Sequence, residues 1–198
     1  MVSLNNRSGV LVEPSVSVFR FPESPEFDAR FKIDNKMQKG IFEMQYSIHQ
    51  IPKMFKSEMK LIFPSLPKDK LSDLLIIPTF QKTSCSLIDW GGETQEEKDR
   101  KLLNFYKFGY NLVTALNFFG YWADIICPAS GLPVFTTSGS TIYSEVDCCK
   151  KLLNYSTVNV GMCNVITHPN WGLQNYPASA FTTAPLELVQ EIMFKASL

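Results

Sequence analysis

The chain has 198 residues, of which 45% are hydrophobic and 19% are charged, and its 19 basic and 19 acidic residues leave no net charge. This size and composition are typical of one folded domain with a full hydrophobic core. The balanced charge and the lack of a Lys/Arg block argue against a nucleic-acid partner. No apolar run approaches the roughly 20 residues of a membrane-spanning helix, so no membrane association is expected.

Residues 1–40 are predicted to form a poorly structured N-terminal arm, because Pro14, Pro22 and Pro25 interrupt them and no helical period is present. Residues 41–198 are predicted to form the folded domain. The N-terminal segment has no apolar signal-peptide core, and the five cysteines are an odd, scattered set. Both features favour a reducing compartment. We therefore expect a cytoplasmic protein, with a mitochondrial pool as an alternative.

The first elements of the domain are a strand, a helix and a second strand. Apolar and polar side chains alternate over residues 42–48, which predicts a half-buried strand. Pro52 opens a helix that ends before Pro64. Residues 72–83 are predicted to form the second strand, and Pro78 within it favours a sheet edge or a bulge.

A long helix is predicted over residues 94–119, with Thr94 as its N-cap and Gly120 as the C′ residue that ends it. Gly109 lies within its apolar stripe and indicates close packing on a neighbouring element. The stripe has helical i, i+3, i+4 spacing and consists of Leu102, Phe105, Tyr106, Gly109, Leu112, Val113 and Leu116.

The rest of the chain is predicted to mix hairpin-like strands with two helices. The strands are expected at 121–128, 132–137, 157–168 and 176–182, and the helices at 144–154 and from Pro185 onward. Helices and antiparallel strand pairs in this order favour an α+β fold, a single domain with a mainly antiparallel sheet flanked by helices.

Sequence motifs for nucleotide or metal binding are absent. Neither GxGxxG nor GxxxxGK[ST] occurs, and there is no CxxC or HxxxH pair. With His49 and His168 as its two histidines, the chain would have to gather zinc ligands from distant segments. We therefore expect no metal bound by this chain alone.

The cysteines do not form a recognisable catalytic pair. If Cys163 and His168 lie on one strand, about 3.3 Å per residue puts them about 16 Å apart and on opposite faces, too far apart for a dyad. Cys148 and Cys149 are adjacent and cannot face one another on a helix, so we expect one buried and one exposed thiol.

Three strings in the chain resemble one known family. GYWADIICPASGLPVF (120–135), VGMCNVITHPNWG (160–172) and SAFTTA (179–184) are similar to the methylmalonic aciduria and homocystinuria type D family of cobalamin-trafficking adaptors, also called CblD. The resemblance covers about residues 41–195. It implies a modified nitroreductase-like scaffold without flavin, no enzymatic activity, and no cofactor held by this protein on its own.

The resemblance also implies partners. Family members associate with the cobalamin-loaded type C cobalamin-processing protein, so that cobalamin is shared between the two proteins. The implied destinations of the cobalamin are methionine synthase with its reductase, and the methylmalonyl-CoA mutase branch in mitochondria.

The implied site is a cysteine thiolate that ligates cobalt. The family commonly has two adjacent cysteines where this chain has Met162 and Cys163, and the ligand is placed at the first of the pair. Cys163 is therefore the cobalt-ligand candidate and Met162 the alternative ligand position, and Cys163 as a buried structural thiol stays open. The residues expected to shape the site are Gly161, His168, Trp171, Gly172, Tyr121, Trp122 and Asp124.

An enzymatic alternative is a nitroreductase-like flavin- or thiol-dependent reductase. Arg100, Lys101 and Lys107 are available for a flavin phosphate, although no motif organises them, and Cys148 with Cys149 would be the redox thiols. A yellow purified protein would favour this alternative over the adaptor.

Overall fold

A computed structural model describes residues 9–21, 24–31 and 41–197. Five strands form one sheet in the order β1-β2-β3-β7-β4, all of whose neighbours are antiparallel. The remaining two strands, β5 and β6, pair in a separate hairpin. The predicted fold class, a single α+β domain with a mainly antiparallel sheet flanked by helices, is confirmed.

The strands are β1 Val10–Arg20, β2 Ile41–Gln50, β3 Leu75–Lys82, β4 Ala123–Ile125, β5 Ser156–Val160, β6 Cys163–Thr167 and β7 Asn175–Thr182. The helices are α1 Pro25–Phe31, α2 Lys56–Ile62, α3 Gly92–Phe118, α4 Glu145–Cys148 and α5 Leu186–Ala196. Single 3-10 turns lie at Lys53–Phe55 and Lys68–Lys70, and a π-helical turn at Cys149–Leu153 continues α4.

Strand β1 falls in the segment 1–40 that was expected to be poorly structured. It pairs with β2 along the edge of the sheet and buries Phe19 completely. Pro14 suggested a break, but it sits where the register shifts between Val12 and Ser15, on an edge strand, and both settings tolerate proline. Residues 1–8, 22, 23 and 32–40 lie outside the described part of the chain, where the expected arm stays a prediction.

Strand β3 lies between β2 and β7, and its register shifts against neither neighbour, so the expectation that Pro78 marks a sheet edge or a bulge is wrong. Pairing with β7 is continuous at Pro78, which lies opposite Ser179. Pairing with β2 is interrupted between Thr79 and Ile76. Because proline has no backbone N–H to donate, a gap in one ladder lets it occupy an interior strand.

Helix α3 begins two residues before the predicted start. Gly91, and not Thr94, is the N-cap, and its φ of 149° lies in the region that favours glycine. Thr94 is buried in the first turn instead. The other end agrees with the prediction, because Gly120 has a φ of 81° directly after the C-cap residue Phe119.

The apolar stripe of α3 packs on the sheet as predicted, with Phe105, Leu112 and Leu116 in the main core. Gly109 brings the helix backbone against β4. A Cβ atom at this position would lie 2.4 Å from Cδ1 of Ile125. The predicted close approach at Gly109 is thus confirmed. Among the described residues, no helix combines the length and the hydrophobicity of a membrane span.

We expect Gly109→Ala to lower the free energy of unfolding by about 1–3 kcal/mol, although alanine favours helix formation, because the new methyl group overlaps Ile125. Gly92→Ala in the first turn of the same helix is the matched control, since a Cβ there has no heavy atom within 4 Å. Urea unfolding of both variants measures the effect. A Gly109→Ala protein as stable as wild-type would contradict the close packing.

Candidate functional site: a thiol at the tip of a β-hairpin

The segment 157–168, predicted as one strand, is a hairpin. Strands β5 and β6 are antiparallel, with Ser156 opposite Thr167 at one end and Val160 opposite Cys163 at the other. Gly161 and Met162 form the connecting loop. The prediction of a single strand is wrong because apolar and polar residues alternate on both sides of this loop. Gly161 was the available signal, since glycine at the first position of a two-residue loop is typical of a hairpin turn.

The loop geometry accounts for Gly161. Its φ of 60° lies in the left-handed region, whereas among the described non-glycine residues a positive φ occurs at Asn154 and not at Met162. A two-residue loop with positive φ at its first position alone is the type II′ pattern, which matches the twist of antiparallel strands. The loop leaves the Met162 side chain fully exposed.

Cys163 is the first residue of β6 and is exposed. The alternative of a buried structural thiol therefore does not describe it. Its accessibility separates it from the other four cysteines, since Cys148 and Cys149 are buried and Cys85 and Cys127 are half-buried. The tip of the hairpin thus presents one thiol, Cys163, next to one thioether, Met162.

The expectation of one buried and one exposed thiol at Cys148 and Cys149 is wrong. The backbone changes from α-helix to a π-helical turn after Cys148. Cys148 packs in a core cluster with Met59, whereas Cys149 packs with Phe80. Burial raises the pKa of both thiols, so both are held protonated.

Cys127 is a half-buried thiol that is surrounded by hydrogen-bond donors. Burial opposes its ionisation, but hydrogen bonds from the Ser130 and Tyr106 hydroxyl groups and from the backbone N–H groups of Ser130 and Ala129 outweigh it. The pKa of Cys127 therefore lies below the ordinary value for a cysteine. Cys127 is less accessible than Cys163, which is exposed.

Ile166 anchors the base of the hairpin. It is buried in a cluster with Phe80, Cys149 and Leu153, whereas Cys163 and Asn164 nearer the tip are exposed. Sequence reasoning missed this anchor, since its partners come from β3 and from the turn after α4. One end of the hairpin is therefore packed on the domain and the other projects from it.

His168 lies just beyond β6 and is buried, so it does not pair with the exposed Cys163. Its ring stacks on Trp171 with centroids 4.1 Å apart. Nδ1 accepts a hydrogen bond from the Asn170 N–H at 3.2 Å, which places the proton of the neutral ring on Nε2. Burial lowers the pKa of His168 from its usual 6.5 to about 4.

Gly172 closes the turn that follows the hairpin. Its N–H and C=O groups exchange two hydrogen bonds of 2.9 Å with the backbone of His168, and its φ is 56°. Asn175 at the start of β7 donates to the Gly172 carbonyl at 2.7 Å. His168, Trp171 and Gly172 therefore belong to the turn that connects the base of the hairpin to β7.

Tyr121 and Trp122 lie directly before β4. Tyr121 packs on the main core, and the Trp122 ring meets Phe63 edge-on with centroids 5.1 Å apart. The Trp122 carbonyl accepts hydrogen bonds from the Thr182 hydroxyl and the Thr183 N–H. These contacts are made to elements other than the hairpin, and the structure does not bring either aromatic side chain to Cys163.

Asp124 is fully buried in β4 and holds the loop that follows it. Its Oδ1 accepts the N–H groups of Ile125, Val134 and Phe135, and its Oδ2 accepts the N–H and hydroxyl of Thr136. Residues 132–137, predicted as a possible partner strand, make one bridge from Pro133 to Ile126. Two backbone hydrogen bonds flank this bridge, from the Cys127 N–H to the Leu132 carbonyl and from the Val134 N–H to the Ile125 carbonyl, and Asp124 extends the support to Phe135 and Thr136.

The described fold and site define a single α+β domain that presents an accessible thiol on a β-hairpin. Within residues 9–21, 24–31 and 41–197, no group of three or more His, Cys, Asp or Glu side chains is placed to hold a metal ion. The sequence profile of the family described as methylmalonic aciduria and homocystinuria type D protein matches residues 14–194. The chain belongs to this family.

Curated relatives carry the name cobalamin trafficking protein CblD. The protein from Rattus norvegicus is 30% identical over 154 residues, which cover 78% of this chain and 50% of the rat protein. The Homo sapiens protein is 30% identical over 141 residues, covering 71% of this chain and 47% of its own. The Gallus gallus protein is 28% identical over 142 residues, covering 72% and 47%. The chain spans about half the length of these relatives.

We expect Asp124→Ala to lower the free energy of unfolding by about 3 kcal/mol or more, because it leaves several backbone N–H groups of β4 and its loop without an acceptor. Asp124→Asn keeps the size but turns an NH2 group toward some of these donors, so it should also destabilise. Asp69→Ala, at an exposed position, is the control. Equal urea midpoints for Asp124→Ala and Asp69→Ala would contradict the bracing role of the carboxylate.

His168 should make folding stability depend on pH. Since burial lowers its pKa from 6.5 to about 4, the folded protein binds fewer protons than the unfolded chain in this window. Its stabilising effect is therefore complete above pH 6.5 and is lost as the pH falls toward 4. We expect this residue to account for a loss of about 1–2 kcal/mol between about pH 7 and about pH 4.5.

Urea unfolding of wild-type and His168→Gln across this range measures that contribution. The carboxylates titrate in both proteins, so the difference between the two pH slopes isolates the histidine. Parallel slopes would show that His168 is not held neutral by burial.

Proposed function

We propose that this protein is a cobalamin-trafficking adaptor that works by binding another protein and completing the cobalt coordination of cobalamin held there. The observation that carries the proposal is the exposed Cys163 thiol at the projecting tip of the β5–β6 hairpin. Membership of the methylmalonic aciduria and homocystinuria type D family and the name of the relatives support cobalamin as the cargo.

The chemistry of a thiol suits this role. A thiolate is a soft, strongly donating ligand, and an axial position of the corrin cobalt can accept one. Coordination to a metal also deprotonates the thiol outright, so the thiol does not need a lowered pKa beforehand. What it needs is access, because the macrocycle and the protein that holds it are both large.

Hairpin geometry provides that access. Gly161 has no heavy atom within 4 Å of the position where a Cβ would lie, so the turn beside Cys163 is open. Burial of Ile166 fixes the base while the tip projects. Met162 occupies the first of the two positions where the family commonly has adjacent cysteines. A thioether is a much weaker ligand than a thiolate, and Cys163 is therefore the proposed ligand.

The proposed partner is the type C cobalamin-processing protein, with cobalamin shared between the two proteins and none retained by this chain alone. Delivery is proposed toward methionine synthase and its reductase, toward methylmalonyl-CoA mutase, or both. The role is proposed to be that of a trafficking protein and not an enzyme, acting in the cytoplasm with a mitochondrial pool as the alternative.

The proposal is tested by adding this protein to the type C partner loaded with cob(II)alamin and recording absorption and EPR spectra. We expect a cobalt–sulfur signature with wild-type that is absent with Cys163→Ser, because the serine hydroxyl is a poor cobalt ligand. Cys127→Ser is the matched control: it removes a half-buried thiol of lowered pKa and should leave the signature unchanged.

Each outcome bears on a different part of the proposal. An unchanged spectrum with Cys163→Ser would show that the hairpin thiol is not the ligand. Spectra that never respond, from proteins that nevertheless co-elute, would remove the coordination step and leave an adaptor that acts through binding. Failure to co-elute under any loading condition would overturn the adaptor itself.

A further inference from the structure

The two faces of the β5–β6 hairpin differ in their apolar side chains. Residues directly opposite one another in an antiparallel pair share a face, and so do residues two apart on one strand. The register therefore puts Cys163 and Val160 on the same face as Val165 and Val158. The other face carries Ile166, which packs on the domain.

This distribution is the reverse of the usual one. An antiparallel pair that packs on one side carries apolar residues on that side and polar residues on the side toward solvent. Here the face of Ile166 also carries Thr157, Asn159 and Asn164, whereas the opposite face carries three valines and the thiol. Contiguous apolar side chains on a surface that the domain does not use indicate a binding surface.

The three valines, here called the valine strip, lie outside the described hydrophobic core. None of them belongs to a core cluster of the described residues or is packed against one. Val158 is 39% exposed. Val160 is half-buried, and so is Val165, which borders a cleft of about 440 Å³. The strip is therefore open to a ligand.

The valine strip begins at the thiol and runs toward the base of the hairpin. Directly opposite residues have Cβ atoms about 5 Å apart, which is the spacing of Val160 and Cys163. Val165 follows on the same strand and Val158 on the diagonal, each about 7 Å from Cys163. A group bound at the sulfur that is wider than one side chain will therefore cover the strip.

We propose that the valine strip is the contact surface for the corrin ring of the cobalamin whose cobalt Cys163 ligates, an inference that rests on the proposed function. Side chains of a strand stand roughly perpendicular to the sheet, so the thiol and the valines project from one face. An axial ligand bonds to cobalt from one face of the flat corrin ring. The ring face that receives the sulfur therefore turns toward the surface around Cys163, and contact with the strip removes apolar area from water.

The charge of the hairpin also fits a corrin ring. Residues 156–167 contain no charged side chain, although 19% of the whole chain is charged. A docking surface for another protein usually has a polar rim around an apolar centre. The hairpin instead offers apolar contact beside one metal ligand, which matches a macrocycle whose conjugated ring carries methyl groups and encloses the metal.

The test adds this protein to the type C partner loaded with cob(II)alamin and titrates the cobalt–sulfur EPR signature. Val158→Thr combined with Val160→Thr keeps the branched shape that favours a strand but places two hydroxyl groups against the ring. We expect the apparent Kd of the signature to rise about tenfold. Asn159→Thr combined with Asn164→Thr is the matched control on the opposite face and should leave the Kd unchanged.

Binding to the cobalamin-free partner separates a corrin contact from a protein contact. We expect the double valine variant to bind this partner as wild-type does. An equal weakening there would assign the valine strip to the partner's protein surface and overturn the proposal.

Two further results would overturn the corrin contact while leaving Cys163 as the ligand. They are an unchanged Kd in the double valine variant and an equal loss in the asparagine control. No signature with wild-type would instead overturn the proposed function on which the inference rests. Val158→Thr alone, at an exposed position, keeps the test decisive should the double variant fold poorly, with an expected rise in Kd of about threefold.

Discussion

The structure depends on the pairing of β3 with β7, which brings together two segments that lie about half a chain apart in sequence. Eight consecutive residue pairs join the two strands, from Leu75 opposite Thr182 to Lys82 opposite Asn175. Strand β2 adds to one side of this pair and β4 to the other. The hairpin and the loop that ends it lead directly into β7, so the position of the Cys163 thiol also depends on this ladder. Burial along both strands excludes water from its hydrogen bonds.

The five cysteines show how one fold separates thiols by environment. The two at the end of α4 are buried in different clusters and are held protonated, so neither is available as a soft ligand or a redox partner. Cys127 ionises more easily than an ordinary cysteine but is half-buried. Cys163 differs from the other four thiols in being exposed. An exposed thiol suits coordination to a metal delivered from outside, because the metal itself supplies the driving force for deprotonation.

Several elements followed from local patterns in the chain. The stripe on α3, the helix end at Gly120 and the alternation in β2 depend on periodicity and on glycine geometry, which are properties of neighbouring residues. Other features were misread for one common reason. Pro14, Pro78 and Thr94 have local meanings as breakers or caps, but a register shift, a gap in one ladder and a glycine at a φ of 149° changed their roles. The register shift and the ladder gap depend on strands distant in sequence, and the glycine cap depends on backbone conformation. None of these can be inferred from the identity of a proline or a threonine alone.

The sequence by itself determined the fold class and the family, together with the short set of residues around Cys163 that bear on function. Only the tertiary structure decided which of those residues meet. It placed Cys163 at an exposed tip and buried His168 against Trp171, and it assigned Asp124 to a loop instead of the site. The reason is physical: periodicity reports which side of its own element a residue occupies, whereas burial and polar pairing depend on which other elements pack there.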